Sequence, residues 1–404
     1  MKVVGVIPYY KPAYSLGGPV ASNSDLLEGL VRLGVSVTVL TTNADGEGEL
    51  DVPIGPSVDV NGVEVRYSRR ARGAPRSFYY SPGLSKACRQ VFREADCGYF
   101  SATWTYPMLA GARAAWRHNV PYVVCPRGSF MRWSMRQKRL KKMAYMYLVE
   151  RTLIDRAAAI QCTSVLEQQQ TAELGLRPRT IVLPNGMSVE PFKRLPERGR
   201  LRSRLGLSAT DFLSVFVGRL HPMKRVDLTI GAFARVAAIC PQAYLAIVGS
   251  DNGEETRLKD LVAALGLRSR IFFLGLLTGN DLLQLYSDAD LLALLSSREN
   301  FGMVVLEAMA SGLPVLVGTE VGLAQDVQAA GAGCVVGDEP DEIAQEWAAL
   351  ILDQARQSRC GEQGRLLVAR SFSTEAVATR MLAVLEQVVA QSRCGFFAGS
   401  TQTG

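Results

Sequence analysis

Short apolar runs recur through the whole chain, and each is followed by a polar turn and a stretch long enough for a helix. Runs of this length, bounded by turn residues and spaced by helical patterns, predict parallel strands joined by crossover helices. In the first half they fall at 3–7, 36–41, 63–67, 122–125, 159–162 and 180–183. A second series begins at 212–217 and continues through 244–248, 271–274, 291–295, 314–317 and 333–336. The fold class is therefore α/β with doubly wound parallel sheets. A chain of 404 residues exceeds what one ordinary core holds, so two domains are expected. The charged, proline-containing stretch 190–206 divides the series and predicts a linker, with domains over 1–190 and 191–373. A last helix is expected over about 374–390, followed by a frayed polar tail. Ligands of open α/β sheets bind beyond the carboxyl ends of the strands, so the site is expected in a cleft between two facing domains.

Composition narrows the function classes. No apolar run approaches the roughly 20 residues that span a bilayer, and the opening Met-Lys-Val-Val-Gly-Val-Ile-Pro predicts a first strand rather than a signal peptide. The eight cysteines are scattered without a C-x-x-C pair, which points to buried thiols in a reducing cytoplasm. With only two histidines as well, no metal site is expected. The net charge of +7 is uneven: residues 1–190 carry +9 and residues 191–404 carry −2. Nine basic residues and no acidic one lie between Arg113 and Lys142, which favours an anionic partner.

The chemistry concentrates at 296–322, where Glu299 and Glu307 stand eight positions apart across a strand-loop-helix junction. The helix should start near Gly302 and stop at Gly312, a residue suited to the left-handed position that ends helices. Glu299 then sits in the loop beyond a strand, and Glu307 about one turn into the helix. The amides of Phe301, Gly302 and Met303 would lie free at the helix N-terminus, where they attract phosphate. Carboxylates accept hydrogen bonds from vicinal hydroxyls, and a nucleotide sugar offers hydroxyls and a diphosphate together. The pair could also serve as acid and base in glycoside hydrolysis. Against that, both belong to one segment and accompany phosphate-binding features a hydrolase does not need.

Three further segments bear on this. Arg219 and Lys224 lie on the loop after the run 212–217, where a bidentate guanidinium and a mobile ammonium could neutralise a diphosphate leaving group. Gly17 and Gly18, before Pro19, remove side chains where a backbone could approach phosphate, although G-x-G-x-x-G is not met. Around 132–147, cations at 132, 136, 139 and 142 share a predicted helix face, with Trp133, Leu140, Ala144 and Tyr147 as a second stripe. Such a helix suits either an anionic membrane surface or a solvated charged face over a core. No nucleic-acid reader motif is present, so nucleic acid is not expected as a partner.

Taken together, these residues resemble the retaining, nucleotide-sugar-dependent glycosyltransferases of family four, which have the GT-B fold of two Rossmann-like domains. The likeness is strongest over 212–228, 243–249, 271–275 and 286–317, and in the last of these Glu299-x₇-Glu307 precedes Ala308-Met-Ala-Ser-Gly-Leu-Pro-Val. It looks most like the bacterial branch that builds cell-surface polysaccharide and lipopolysaccharide. The resemblance implies that Glu299 contacts donor-sugar hydroxyls. Asn300, Phe301, Gly302, Met303 and Val304 would line the sugar and diphosphate, and Glu307 would hold the ribose. Arg219 and Lys224 would bind the diphosphate, with Gly17 and Gly18 closing on it, and the base would rest near Gly249 and Leu276. The final helix, over 374–404, would cross back to the first domain. The acceptor would be a glycan or lipid-linked molecule, no metal or other cofactor is required, and the enzyme would be cytoplasmic or peripheral at the inner membrane face.

Where relatives often place an acceptor-side histidine, this chain has Pro126-Arg127-Gly128; Arg127 cannot act as a base, so an electrostatic or acceptor-binding role is expected. Ser101-Ala-Thr-Trp104 lacks another common histidine, and Gly322-Leu323 replaces the usual Gly-Gly. Two other functions fit the same residues. A nucleotide-sugar epimerase of similar fold would convert donor without acceptor, and a silent sugar-nucleotide-binding or membrane scaffold would bind donor without turnover.

Overall fold

The apolar runs assemble into two separate sheets in the computed structural model, which describes residues 1–399. The first sheet orders its strands Thr180–Val182, Ala159–Cys162, Tyr122–Cys125, Cys97–Ser101, Lys2–Val6, Ser36–Thr42, Val63–Ser68 and Ser57–Val60. All neighbours are parallel except the edge strand Ser57–Val60, which runs against Val63–Ser68. The second sheet is parallel throughout, in the order Ile271–Gly275, Ala243–Val248, Phe212–Val217, Leu291–Leu294, Val315–Gly318 and Gly333–Val336. Doubly wound parallel sheets are the fold class the alternation predicts. The chain divides into two compact units, one of residues 1–187 with the segment from Thr374 onward, the other Ser188–Ser373.

Two strands of the first sheet escape the apolar pattern. Cys97–Ser101, wholly buried beside the opening strand, is interrupted by Gly98. A Cβ at Gly98 would come within 2.9 Å of both Phe100 and Tyr122. Those rings stack with centroids 4.7 Å apart and planes at 22°. The glycine that weakens the strand signal is what makes room for the stack. Ser57–Val60 is an edge strand with alternate residues exposed, too polar to register as an apolar run.

Each face of the first sheet is covered by helices. On one, Leu26, Leu27 and Leu30 of the helix Gly18–Arg32 pack with Val377, Met381, Leu385 and Val388 of the last helix. These four last-helix positions form one helical stripe, so the segment joins this unit by burying an amphipathic face. The helix runs Thr374–Gly399, beyond the expected end near 390, and Arg393 there donates to Asp96 Oδ1 at 3.0 Å. The rest of the expected frayed tail, 400–404, lies outside the described residues. The other face is covered by the helices Pro82–Val91 and Tyr106–Arg117, through Leu84, Cys88, Phe92, Met108 and Ala112.

In the second unit Trp347 is fully buried, tilted against Phe233, and satisfies its indole by donating to Ser214 Oγ at 2.9 Å. The expected linker 190–206 is instead docked on this unit. Arg202 is 4% exposed and donates to the carbonyls of Asp288 and Ser208, both at 2.9 Å. The fully buried Asp288 carboxylate accepts from the amide of Leu201 at 2.7 Å. Arg202 is thus consumed by buried partners, while Lys193, Arg194, Arg200 and Arg204 stay exposed.

Replacing Leu385 by Ala should remove about 2–5 kcal/mol of stability from the first unit, read as a lower urea midpoint. Leu352→Ala, at a side chain 66% exposed, should change it by less than about 0.5 kcal/mol.

Candidate active site

In chain order the second sheet runs third, second, first, fourth, fifth, sixth strand, so its winding reverses between Phe212–Val217 and Leu291–Leu294. The crossover helices leave these two strands in opposite directions, which opens a crevice at their carboxyl ends. The loops that leave those ends carry Arg219 and Lys224 on one side and Glu299 on the other.

The two loops are stitched together. Ser297 donates through its amide to Met223 O at 3.0 Å. Lys224, at the end of the turn Pro222–Lys224, reaches across to the Glu299 carboxylate and pairs with Oε2. Both side chains are less than one-fifth exposed, so the pair is only weakly screened. Glu299 is also held by its backbone: its amide donates to Glu320 O at 3.2 Å, and its carbonyl accepts from Gly322 N at 2.8 Å. A Cβ at Gly322 would come within 2.1 Å of Asn300 O, so the close approach requires glycine. Leu323 points into the core, fully buried, and the departure from Gly-Gly leaves no side chain at the surface there. Arg219 is exposed and has no ion pair or hydrogen bond among the described residues, while His221 Nδ1 accepts from Met223 N at 3.2 Å and caps the turn.

The helix is Met303–Ser311, bounded by left-handed Gly302 and Gly312 as expected. Gly302 has no side chain to cap the helix, so the first amides, from Met303 and Val304, have no intrahelical acceptor and carry the positive end of the helix dipole. Met303 and Val304 are half-buried. Phe301 is different: it is 4% exposed and packs edge-on to Phe372, 6.0 Å between centroids. Its backbone belongs to the loop while its ring belongs to the core.

Glu307 is half-buried on the same helix. Tyr286, fully buried on the preceding helix, donates to Glu307 Oε2 at 2.7 Å. That bond fixes the carboxylate through Oε2 and leaves Oε1 to face a ligand hydroxyl. Burial pushes the Glu307 pKa above the ordinary carboxylate value, with the Tyr286 bond pulling the other way. Tyr286 thus positions Glu307, a contact whose only signal in the sequence is a lone hydroxyl on a core-facing helix. Nearby, Gly249 ends the strand Ala243–Val248 so tightly that a Cβ would lie 1.8 Å from Gly218 O. Leu276, past the neighbouring strand, is 66% exposed.

The remaining candidates lie in the first unit. Gly17 has a positive φ of 73° and begins the helix Gly18–Arg32 without a side-chain cap. Added Cβ atoms at Gly17 and Gly18 would meet nothing within 4 Å, so the turn presents bare backbone. Arg127 is the hub of a polar network. Its Nε donates to Ser101 Oγ at 3.1 Å, Nη1 to Ser22 Oγ at 3.0 Å and to Asn185 Oδ1, and Nη2 to Asn23 Oδ1 and to Tyr99 OH at 3.3 Å. All five guanidinium N–H donors therefore end on protein acceptors. Arg127 ties the helix that follows Gly17 and Gly18 to two strand ends, with no donor left over for an acceptor molecule. The next residue's amide donates to the buried Glu167, which also holds Thr163 through its amide and hydroxyl, each at 2.7 Å.

The basic stretch 132–147 is not one helix. It breaks at Lys138, whose φ is +48°, into Arg132–Arg136 and Arg139–Tyr145. The expected cationic face is lost with it. Arg132 pairs with Glu173, and Lys142 turns inward to donate to Ser134 O at 2.6 Å under the Trp104 ring. The outward face instead carries Lys138, Arg139 and Lys141 beside Leu140 (83% exposed), Met143, Tyr147 (81%) and Leu148.

Comparison with known proteins bears on the family and the fold. The family model described as "Glycosyl transferases group 1" matches residues 197–367, and that of a "Glycosyl transferase 4-like domain" matches residues 17–186. A D-inositol 3-phosphate glycosyltransferase of Nocardia farcinica is 29% identical over 69% of this chain and 65% of its own length. A GDP-mannose-dependent monoacylated phosphatidylinositol monomannoside mannosyltransferase of Corynebacterium glutamicum is 29% identical over 77% of this chain and 82% of its own. Alignments with the first D-inositol 3-phosphate glycosyltransferases span only 42–65% of those proteins' length. Among solved structures, Anabaena HepE in complex with UDP shares the fold, with a TM-score of 0.72 at 23% identity, over 96% of this chain and 100% of that one.

Arg127→Lys offers three donors where five acceptors wait, so stability should fall by about 1–3 kcal/mol in chemical denaturation. Glu307 has a raised pKa when folded, so its contribution to stability is full below the ordinary carboxylate pKa and is lost as pH rises through the raised value. Glu307→Gln should flatten that descending part of the melting-temperature profile, measured by calorimetry from pH 4 upward.

Proposed function

The chain belongs to the group 1 glycosyl transferases, and on that footing we propose that it moves a sugar from a nucleoside diphosphate sugar to a glycan or lipid-linked acceptor, with retention. The observation that carries this is the Lys224–Glu299 pair at the point where the sheet reverses, beside an uncapped helix N-terminus. A cation, bare amides and a carboxylate stand together where a nucleotide sugar presents its diphosphate and its hydroxyls. Lys224 and Arg219 bind the diphosphate with the amides of Met303 and Val304. Glu299, released from Lys224, accepts from hydroxyls of the sugar, and Glu307 Oε1 accepts from the ribose. The bare strand ends at Gly249 and Leu276 take the base. UDP in the Anabaena structure and GDP-mannose in the name of the Corynebacterium relative support a nucleotide donor.

In the transfer, the acceptor oxygen bonds to the anomeric carbon as that carbon's bond to the diphosphate breaks, on the same face. The acceptor proton leaves on the departing phosphate oxygen. Lys224 and the helix amides act where negative charge grows, which stabilises the transition state more than the bound donor. The lipid acceptor named for the Corynebacterium relative supports a role in cell-surface glycan assembly at a membrane. The exposed apolar residues beside Lys138, Arg139 and Lys141 support docking of that segment on anionic lipid.

Glu299→Ala should lower kcat/KM by about 10²–10³ in a chain that still folds, with a lower melting temperature because Lys224 loses its partner; near-normal turnover would remove the assignment. A thermal-shift screen against nucleotides and nucleotide sugars should single out one base and one sugar, since a selective binder stabilises the fold by mass action. For the membrane, exchanging Lys138, Arg139 and Lys141 for Gln should abolish sedimentation with phosphatidylglycerol vesicles. Undiminished sedimentation would refute the docking face.

A further inference from the structure

The first unit holds a cavity of about 770 Å³ whose charged lining is entirely cationic: Arg66, Arg69, Arg70, Arg72 and Lys86. It lies at the carboxyl end of the strand Val63–Ser68 and against the start of the helix Pro82–Val91, which contributes Pro82 and Gly83. Its volume is that of a site for a small ligand rather than a crease between side chains.

Of the five cations, only Arg66 is neutralised, by Glu64 at 2.7 Å. Arg69, Arg72 and Lys86 are exposed and form no ion pair among the described residues. Arg70 is 8% exposed, its amide is anchored on Asn43 Oδ1 at 2.9 Å, and its Nη2 reaches Gly48 O only at 3.4 Å. Its Nη1 is buried with no hydrogen-bond partner. Arg70 turns its guanidinium away, toward Gly48, so the like charges left around the hollow are those of Arg69, Arg72 and Lys86, which repel one another. An anion with several acceptor oxygens would relieve that. The dipole of the ten-residue helix points its positive end at the same place.

We infer that this cavity recognises a phosphate or diphosphate group, with Arg69, Arg72 and Lys86 gripping its oxygens. Its ligand is a phosphorylated molecule, and the acceptor of the proposed transfer is the reactant that would bring one. That last step rests on the proposed function; the binding does not.

The test is calorimetric titration of the full chain with pyrophosphate at constant ionic strength. It is run in an Arg219→Ala, Lys224→Ala background, so that the second unit's cations cannot contribute. Binding should be saturable, and adding Arg69→Gln, Arg72→Gln and Lys86→Gln should weaken it at least tenfold with an unchanged melting temperature. Equal affinity with and without those three exchanges, or no binding at millimolar pyrophosphate, would overturn the inference. Failure of the donor assignment would appear separately, as a wild-type chain that does not bind any nucleotide sugar. Competition by glucose 1-phosphate would assign a soluble ligand. Competition by a short-chain, water-soluble phosphatidic acid in the same titration would assign a lipid headgroup, and competition by neither would leave the diphosphate itself as the recognised group.

Discussion

Parallel strands can be joined only by crossovers, so every strand of such a sheet delivers its carboxyl end to one edge. In the second unit, the strands Phe212–Val217 and Leu291–Leu294 are neighbours although the chain makes two other strands between them. Their crossovers must diverge, and the gap that results cannot be filled by either. Everything proposed about the donor depends on this constraint. It brings Lys224 and Glu299, seventy-five positions apart, into a single ion pair.

The pair itself has two uses. Without a ligand, each charge compensates the other in a half-buried setting, where leaving one alone would be expensive. In the proposed reaction, a diphosphate sugar offers each partner a better match. Glu307 is treated differently by the fold. It keeps one oxygen committed to Tyr286 and sits where burial favours the proton. One carboxylate is thus exchangeable and the other is fixed, which suits the sugar and the ribose respectively.

The first unit uses its cations in two contrasting ways. Arg127 spends all five donors inside the protein, on Ser22, Asn23, Tyr99, Ser101 and Asn185, and so positions the helix that begins at Gly18. Arg69, Arg72 and Lys86 pair with nothing among the described residues and surround a hollow. Buried donors satisfied within the protein mark structure, and exposed ones gathered around a hollow stay available to a ligand. Chain position alone could not separate the two classes, because both are basic residues in loops after strands.

Much was legible from residue order, because it depends on neighbours along the chain. The alternation of apolar runs, the helix bounded by Gly302 and Gly312, and the Glu299–Glu307 spacing are all local patterns. Strand and helix periodicities act over a few residues, and local sequence encodes them directly. What escaped was decided by partners distant in the chain. Cys97–Ser101 is a strand because Gly98 admits the Phe100–Tyr122 stack. The stretch 190–206 is docked because Asp288 and Asp290 meet Arg202. Lys142 faces inward because Ser134 and Trp104 lie there, across a break at Lys138. Sequence by itself determined most of the elements, the architecture and the Glu299–Glu307 motif. Tertiary structure alone decided which charges are paired, which hydroxyl holds Glu307 and which cations remain for a ligand, since pairing is settled by distance in space and by the cost of burying a charge without a partner.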